Sequence, residues 1–586
     1  LFARSSITRR EDELSSYLTL PRLRLKREAM FKLSRRRLLV GGAATGAVVG
    51  CGGGGVNTTP VFNSNGGPAY TLTVQYSNHT YGGKQVRVRS YGSIPGPTLT
   101  VSPGQSLTVT LNNQLPPDPA ATVPTKVAIH PSAMGDMMSL RQQLALPAVT
   151  STTIDPMNNP HLFNTTNLHV HGLQVVPHIF DPPGTSDPAA MQIAVSPGTS
   201  RTYTFNLPPD QPSGLFWYHP HHHGSSDVEV SSGMAGLILV KGPIDQVPEI
   251  AAARDIPIAV QTLQLKPDPS QAGLYSLEYV AYQTPQNGGY TPRTPNIFVL
   301  VNGQLVNFLS GLTAEAPALP VSAPSPPPVT MMQPGEVVRL RILNGSNALL
   351  FPIVLPGFDV YLIANDGVNV LAPQLIAPGS NVQIASGNRT ELLVRAPQTP
   401  GTYTLSALAV PDASHPWPQF DFMQFVVSGS PLNMAIPASL PTPTRMYPPI
   451  ADSEIAASRT VTFNSVGSTA ILSGTALTIN GNVYDEMAIF ATLQTGTAQR
   501  WTLVNGMSEG HPYHIHTNSF EVHSVSSPTG GTITYNPPYI CDTVWIPPNG
   551  TVIIQSRYKQ WTGKDVFHCH KLTHEDQGMM ANTMLT

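Results

Sequence analysis

Ser102-Pro103-Gly104-Gln105-Ser106-Leu107-Thr108-Val109-Thr110-Leu111-Asn112-Asn113 reads as a turn, an alternating strand and a second turn. The same construction returns twice. Gln333-Pro334-Gly335 leads into Val337-Val338-Arg339-Leu340-Arg341-Ile342 and stops at Asn344, and Gln494-Thr495-Gly496 leads into Trp501-Thr502-Leu503-Val504 and stops at Asn505. In every copy the Asn falls nine residues after the Gly. A second repeat follows each first one. Pro197-Gly198 precedes a strand and then Trp217-Tyr218-His219-Pro220-His221. Gly387 precedes Leu392-Leu393-Val394 and Tyr403-Thr404-Leu405. Pro548-Asn549-Gly550 precedes Val552-Ile553-Ile554 and Val566-Phe567-His568-Cys569-His570. Repetition on this scale marks one domain used three times. It predicts an all-β chain of three homologous β-sandwiches at 67–245, 246–430 and 431–586, each near the usual domain size. The boundaries are expected near Pro243 and residue 430, where strands end in Pro- and Gly-rich text, and about 115–165 fits no repeat and reads as an insertion.

Bulk composition agrees. A chain of 586 residues is too long for one hydrophobic core, and its 48 glycines and 59 prolines suit many turns between short strands. Charged residues are 11% and the net charge is −2, so no basic face is available for a nucleic-acid partner. Cys51, Cys541 and Cys569 are too few for a disulfide scaffold, and Cys541 reads as a buried free thiol.

Residues 1–66 read as an upstream segment, signal and linker rather than fold. Met30 reads as the translation start. The basic Lys32-Leu33-Ser34-Arg35-Arg36-Arg37 precedes an apolar run from Leu38 to Gly50, too short to span a membrane as a stable helix, which reads as an export signal. Ser34-Arg35-Arg36 before Leu38-Leu39 resembles a twin-arginine signal. Val48-Val49-Gly50-Cys51 resembles a lipoprotein cleavage box, with Cys51 as the lipidated residue and Gly52 to Gly55 as a tether. These features predict an exported, periplasmic or cell-envelope protein, either anchored by lipid at Cys51 or released by an ordinary signal peptide cut nearby.

Ten of the 18 histidines fall in four clusters: His169-Val170-His171, His219-Pro220-His221, His511-Pro512-Tyr513-His514-Ile515-His516, and His568-Cys569-His570 running on to His574 and Met579. Alternate strand residues share a face, so His568 and His570 point one way and Cys569 the other. One strand then addresses two metal sites. Cys569 with His511, His574 and a weak axial Met579 is the ligand set of a blue-copper site. Zinc gains nothing from a thioether. The other eight histidines form an all-imidazole set, which alone does not choose the metal. His222 and His223 fit no pattern and read as groups outside the ligand set.

The four clusters resemble the copper motifs of the multicopper oxidases, and the resemblance spans roughly 67–586. It implies three cupredoxin-like Greek-key domains and four copper ions. His511, Cys569, His574 and Met579 would hold a type 1 copper. His169 and His514 would hold the type 2 ion, and His171, His219, His221, His516, His568 and His570 the type 3 pair. The trinuclear cluster would lie between the first and third domains, with the middle domain a metal-free spacer. The implied chemistry is four one-electron oxidations coupled to reduction of dioxygen to water, electrons crossing from Cys569 to His568 or His570. Glu575 and Asp181 stand near where the family keeps proton donors, and the Met ligand implies a low-to-medium potential.

The implied reductant is a phenol or aromatic amine, as in laccases. The alternative is a metal ion, Cu(I) above Fe(II) or Mn(II). His130, Met134, Met137, Met138, Met157 and His161 in the insertion hint at Cu(I), although so sparse a set of methionines more often packs. A non-catalytic envelope protein would lack ligands, and all twelve are present. Since three domains share one chain, a monomer is expected.

Overall fold

The computed structural model describes residues 67–118, 160–268, 270–277, 296–310, 326–410, 417–466 and 476–586, with the strand fragments Val61–Phe62, Val127–Ala128, Thr153–Ile154 and Leu319–Pro320. The basic leader, Cys51 and most of the insertion, with His130, Met134, Met137, Met138 and Met157, lie outside the described residues.

The repeat that opens the sequence does the same structural work three times. In each sandwich its strand lies between a parallel neighbour and an antiparallel one. Ser106–Asn113 pairs parallel with Pro68–Tyr81 and antiparallel with Ser200–Asn206. Val337–Asn344 pairs parallel with Arg254–Pro267 and antiparallel with Arg389–Arg395. Ala498–Asn505 pairs parallel with Ile455–Val466 and antiparallel with Thr551–Arg557. The facing sheets also share a rule: the last strand runs parallel to an early one. Gly236–Val240 joins Gly96–Val101, Phe420–Val427 joins Val329–Met332, and Met580–Leu585 joins Ile489–Leu493. This threefold Greek-key plan makes the chain all-β with cupredoxin-like sandwiches.

Gly and Asn bracket the repeat for physical reasons. Gly104, Gly335 and Gly496 have φ of +77°, +73° and +79°, a left-handed turn that a Cβ disfavours. Each terminal Asn is buried and ties down the loop that follows it. Asn113 Nδ2 donates to Asn164 O and Val195 O, Asn344 Nδ2 to Leu349 O and Ile384 O, and Asn505 Nδ2 to Glu509 O and Pro547 O.

Three apolar cores follow from the alternation. Leu107, Val109 and Leu111 enter the first, Val338, Leu340 and Ile342 the middle, and Trp501 and Leu503 the third. The middle strand is buried on both faces. Its Arg339 and Arg341 turn away from the core and clamp the chain leaving the first sandwich, each reaching Asp245 Oδ1, at 2.8 and 2.7 Å. Asp255 also receives Arg341 at 2.7 Å. Cys541 is a buried free thiol in the third core.

Candidate metal centres

Gly563–Cys569 is the strand on which both centres depend. It pairs with His511–Ile515 so that Tyr513 lies opposite Cys569 and His514 opposite His568. Alternation therefore sends Cys569 into the third core beside Met579, and His568 toward His514 and the first sandwich. In that sandwich His169 lies opposite His219 on adjacent strands.

On the Cys569 side three donors converge. Cys569 Sγ lies 3.3 Å from His511 Nδ1 and 3.8 Å from His574 Nδ1, and the two Nδ1 atoms are 3.3 Å apart. Met579 is fully buried in the same core, and its carbonyl accepts from Cys569 N. Lys571 N donates to Cys569 Sγ at 3.4 Å. Burial pushes the Cys569 thiol up to about 12 and His511 down to about 3. Without a cation the thiolate is disfavoured here and the imidazole stays neutral, so the donors fit a metal that supplies the missing charge.

On the opposite face eight buried imidazoles form a nest across two sandwiches. Each ring has an outer nitrogen facing a polar partner. His169 Nδ1 meets His178 Nε2 at 3.1 Å, and His178 Nδ1 in turn donates to Val176 O. His171 Nε2 meets Asp542 Oδ1 at 3.1 Å, and His514 Nδ1 donates to Asp542 O at 2.8 Å. His219 Nδ1 donates to Pro220 O, and His570 Nδ1 meets Ser386 Oγ at 3.1 Å. His221 and His568 turn Nδ1 to Glu575, at 3.4 and 3.2 Å, and His516 Nδ1 lies 3.7 Å from Asp565.

The inner nitrogens meet only one another. His171 Nδ1 lies 3.4 Å from His219 Nε2, and His221 Nε2 3.1 Å from His568 Nε2. His169, His514, His516 and His570 have Nε2 buried with no hydrogen-bond partner. Burial and mutual repulsion hold seven of these histidines well below the usual imidazole range, and burial lowers His514 to about 4. Neutral rings whose outer nitrogens carry the protons present inward lone pairs, and buried lone pairs facing lone pairs are costly unless a cation lies between them. The residues fit metal ions. The closest rings stack across the two sandwiches, His169 on His516 at 3.8 Å and His171 on His514 at 3.7 Å, while His221, His516 and His568 lie 4.7–5.4 Å apart and His171, His219 and His570 5.0–5.6 Å apart.

The two acidic residues singled out by sequence part company. Glu575 is fully buried against His221 and His568, and Ser226 Oγ donates to it at 3.1 Å. Burial and the neighbouring Asp576 push its carboxyl well above the usual range. Asp181 is a correction. Its carboxylate is about half exposed and forked by Arg201 at 2.7 and 3.1 Å, which holds it below the usual range. A solvated, arginine-bound carboxylate holds no proton for the nest, and the carboxylate in contact with His171 is Asp542.

Asp542, His178 and Arg389 were not legible as functional. Arg389 comes from the middle sandwich and forks Asp542 with bonds of 2.8 and 2.6 Å, while Asp366 accepts from the Asp542 and Thr543 amides. Among the described residues the middle sandwich thus adds no ring to the nest but fixes the group behind two of its rings. His161, His222 and His223 are buried together, the rings of His222 and His223 lying 6.4 and 6.3 Å from that of His161.

Comparison with known proteins follows this geometry. Three sequence models of the family described as multicopper oxidase match residues 138–244, 277–419 and 455–585. The chain is 33% identical to a bilirubin oxidase of Albifimbria verrucaria over 27% of each chain. It is 26% identical to a multicopper oxidase of Staphylococcus haemolyticus over 73% of this chain and 78% of that one. A laccase-like multicopper oxidase of Ochrobactrum sp., described as active on lignin model compounds and lignosulfonate, superposes with a TM-score of 0.60 at 21% identity, covering 88% of this chain and 97% of that one.

Proposed function

The chain belongs to the multicopper oxidase family of oxygen-reducing oxidoreductases, and from that premise we propose that its reductants are phenols and aromatic amines. We further assign four coppers: a type 1 ion on His511, Cys569, His574 and Met579, a type 2 ion on His169 and His514, and a type 3 pair on the other six histidines. The observation that carries the assignment is the set of eight inward lone pairs on the face of the strand opposite Cys569. When bound, copper takes electrons singly on the Cys569 side and passes them to dioxygen on the histidine side.

The protein's own groups set the rest. His574 turns Nε2 outward and its side chain is 9% exposed, whereas His511 is sealed, so His574 is the edge a reductant can approach. Cys569 is covalently continuous with His568 and His570, giving the shortest link between centres. Glu575 keeps a proton where water formation consumes one, with Ser226 holding its other oxygen. His178 and Asp542 fix which nitrogen of His169 and His171 faces inward. The twin-arginine-like segment and the Cys51 box support export to the periplasm or cell envelope with a lipid anchor, and three sandwiches in one chain support a monomer.

Oxygen uptake by copper-loaded protein, with a dimethoxyphenol and with Cu(I), tests the reading. Fast uptake with the phenol, unaffected by added Cu(II), is expected. Uptake that is strongest with Cu(I), or phenol uptake that requires added Cu(II), would make the protein a metal-ion oxidase.

A further inference from the structure

The approachable edge of the Cys569 centre carries a buried ion pair that the copper chemistry does not require. Glu509 Oε1 lies 3.6 Å from His574 Nε2, and its other oxygen, Oε2, lies 2.8 Å from Lys571 Nζ. The Lys571 side chain is 1% exposed and that of Glu509 11%, so the ammonium reaches the carboxylate from inside while the carboxylate borders solvent. Glu509 is also held by its backbone. Its carbonyl accepts from Asn505, and the next residue, Gly510, packs so closely on Trp545 that a Cβ there would overlap the indole ring. Lys571 in turn follows the ligand strand directly, and its amide donates to Cys569 Sγ.

A carboxylate touching the outward nitrogen of His574 is what a hard or borderline divalent ion would seek as an anchor next to an electron acceptor. Here its second oxygen already holds a cation, and the two-oxygen grip that would bind a metal is not offered. A metal ion arriving at Oε1 would also meet the ammonium across the same carboxylate. A neutral phenol meets no such repulsion. We propose that Lys571 is a specificity-determining residue, neutralising Glu509 and thereby denying Fe(II) or Mn(II) an anchor beside His574. The inference rests on the phenol-oxidase reading, which it explains in charge terms.

The test uses the copper-loaded enzyme and three chains: wild type, Lys571→Met, and Lys571→Met with Glu509→Gln. Type 1 absorption first establishes that the Cys569 centre is intact in each. Two readouts follow: the ratio of kcat/KM for Fe(II) to that for dimethoxyphenol, and calorimetric binding of Zn(II) as a redox-inert ion of the same charge. Lys571→Met is expected to raise the ratio about tenfold or more, through KM for Fe(II), and to tighten Zn(II) binding comparably. Adding Glu509→Gln should abolish both gains. Unchanged ratio and Zn(II) affinity in Lys571→Met, or a gain that persists in the double variant, overturns the proposal. Should Lys571→Met fail to fold or load copper, Lys571→Gln, which keeps a donor to Glu509 without the charge, is read by the same criteria. A wild type that already prefers metal ions breaks the phenol reading instead, since Lys571 is judged only on variant against wild type.

Discussion

The two faces of the strand Gly563–Cys569 carry centres built on opposite principles. The Cys569 centre is local. His511, Cys569, His574 and Met579 all come from the third sandwich, and its core packs around them. The histidine nest is shared. The first sandwich brings His169, His171, His219 and His221, the third brings the other four, and the middle one braces them through Arg389, which grips Asp542 of the third. A local centre stands or falls with one core. A shared one depends on alignment between cores, and so on polar groups distant from it in sequence.

That contrast can be broken at several points. Cys569→Ser should cost turnover on the order of a thousandfold or more, because the only described thiolate donor is lost, while the nest keeps its copper. Turnover and copper content measured together check this. Glu575→Gln should lower kcat roughly a hundredfold without altering type 1 absorption, since it removes the buried proton store and leaves both ligand sets. Pre-steady-state traces should then show electrons accumulating on the protein. Arg389→Met removes the guanidinium that grips the buried Asp542 on both oxygens, at a cost of about 3–5 kcal/mol. It should reduce activity about 10–100-fold by loosening the nest, with the Cys569 centre spectroscopically unchanged. Equivalent damage to both centres would contradict the separation. Asp181→Asn should change kcat less than about twofold, as expected of an exposed ion pair.

Legibility followed the same division. Local relations were visible in the sequence: the Gly–Asn repeat announced three sandwiches, and alternation through His568, Cys569 and His570 announced two faces. The ligand spacing of the Cys569 centre lies within one stretch plus His511. Groups that act across sandwiches were not visible. Asp542 is the single bend residue between the strands Gly531–Cys541 and Thr543–Ile546, and nothing at Arg389 signals a partner more than a hundred residues on. His178 is a solitary histidine whose role depends on the ring of His169 turning toward it. Asp181 misled because its distance from His171 resembles a family position, whereas the side chain leaves the nest for Arg201. Lys571 and Glu509 looked like ordinary charges until folding buried one against the other.

The most direct test of the two-face arrangement is copper content with electron paramagnetic resonance, on wild type and Cys569→Ser side by side. The wild type should hold four coppers per chain, two of them silent as a coupled pair. The variant should lose one copper and the type 1 signal while keeping the silent pair. Loss of all copper, or of none, from Cys569→Ser would contradict the assignment of separate centres to the two faces of one strand.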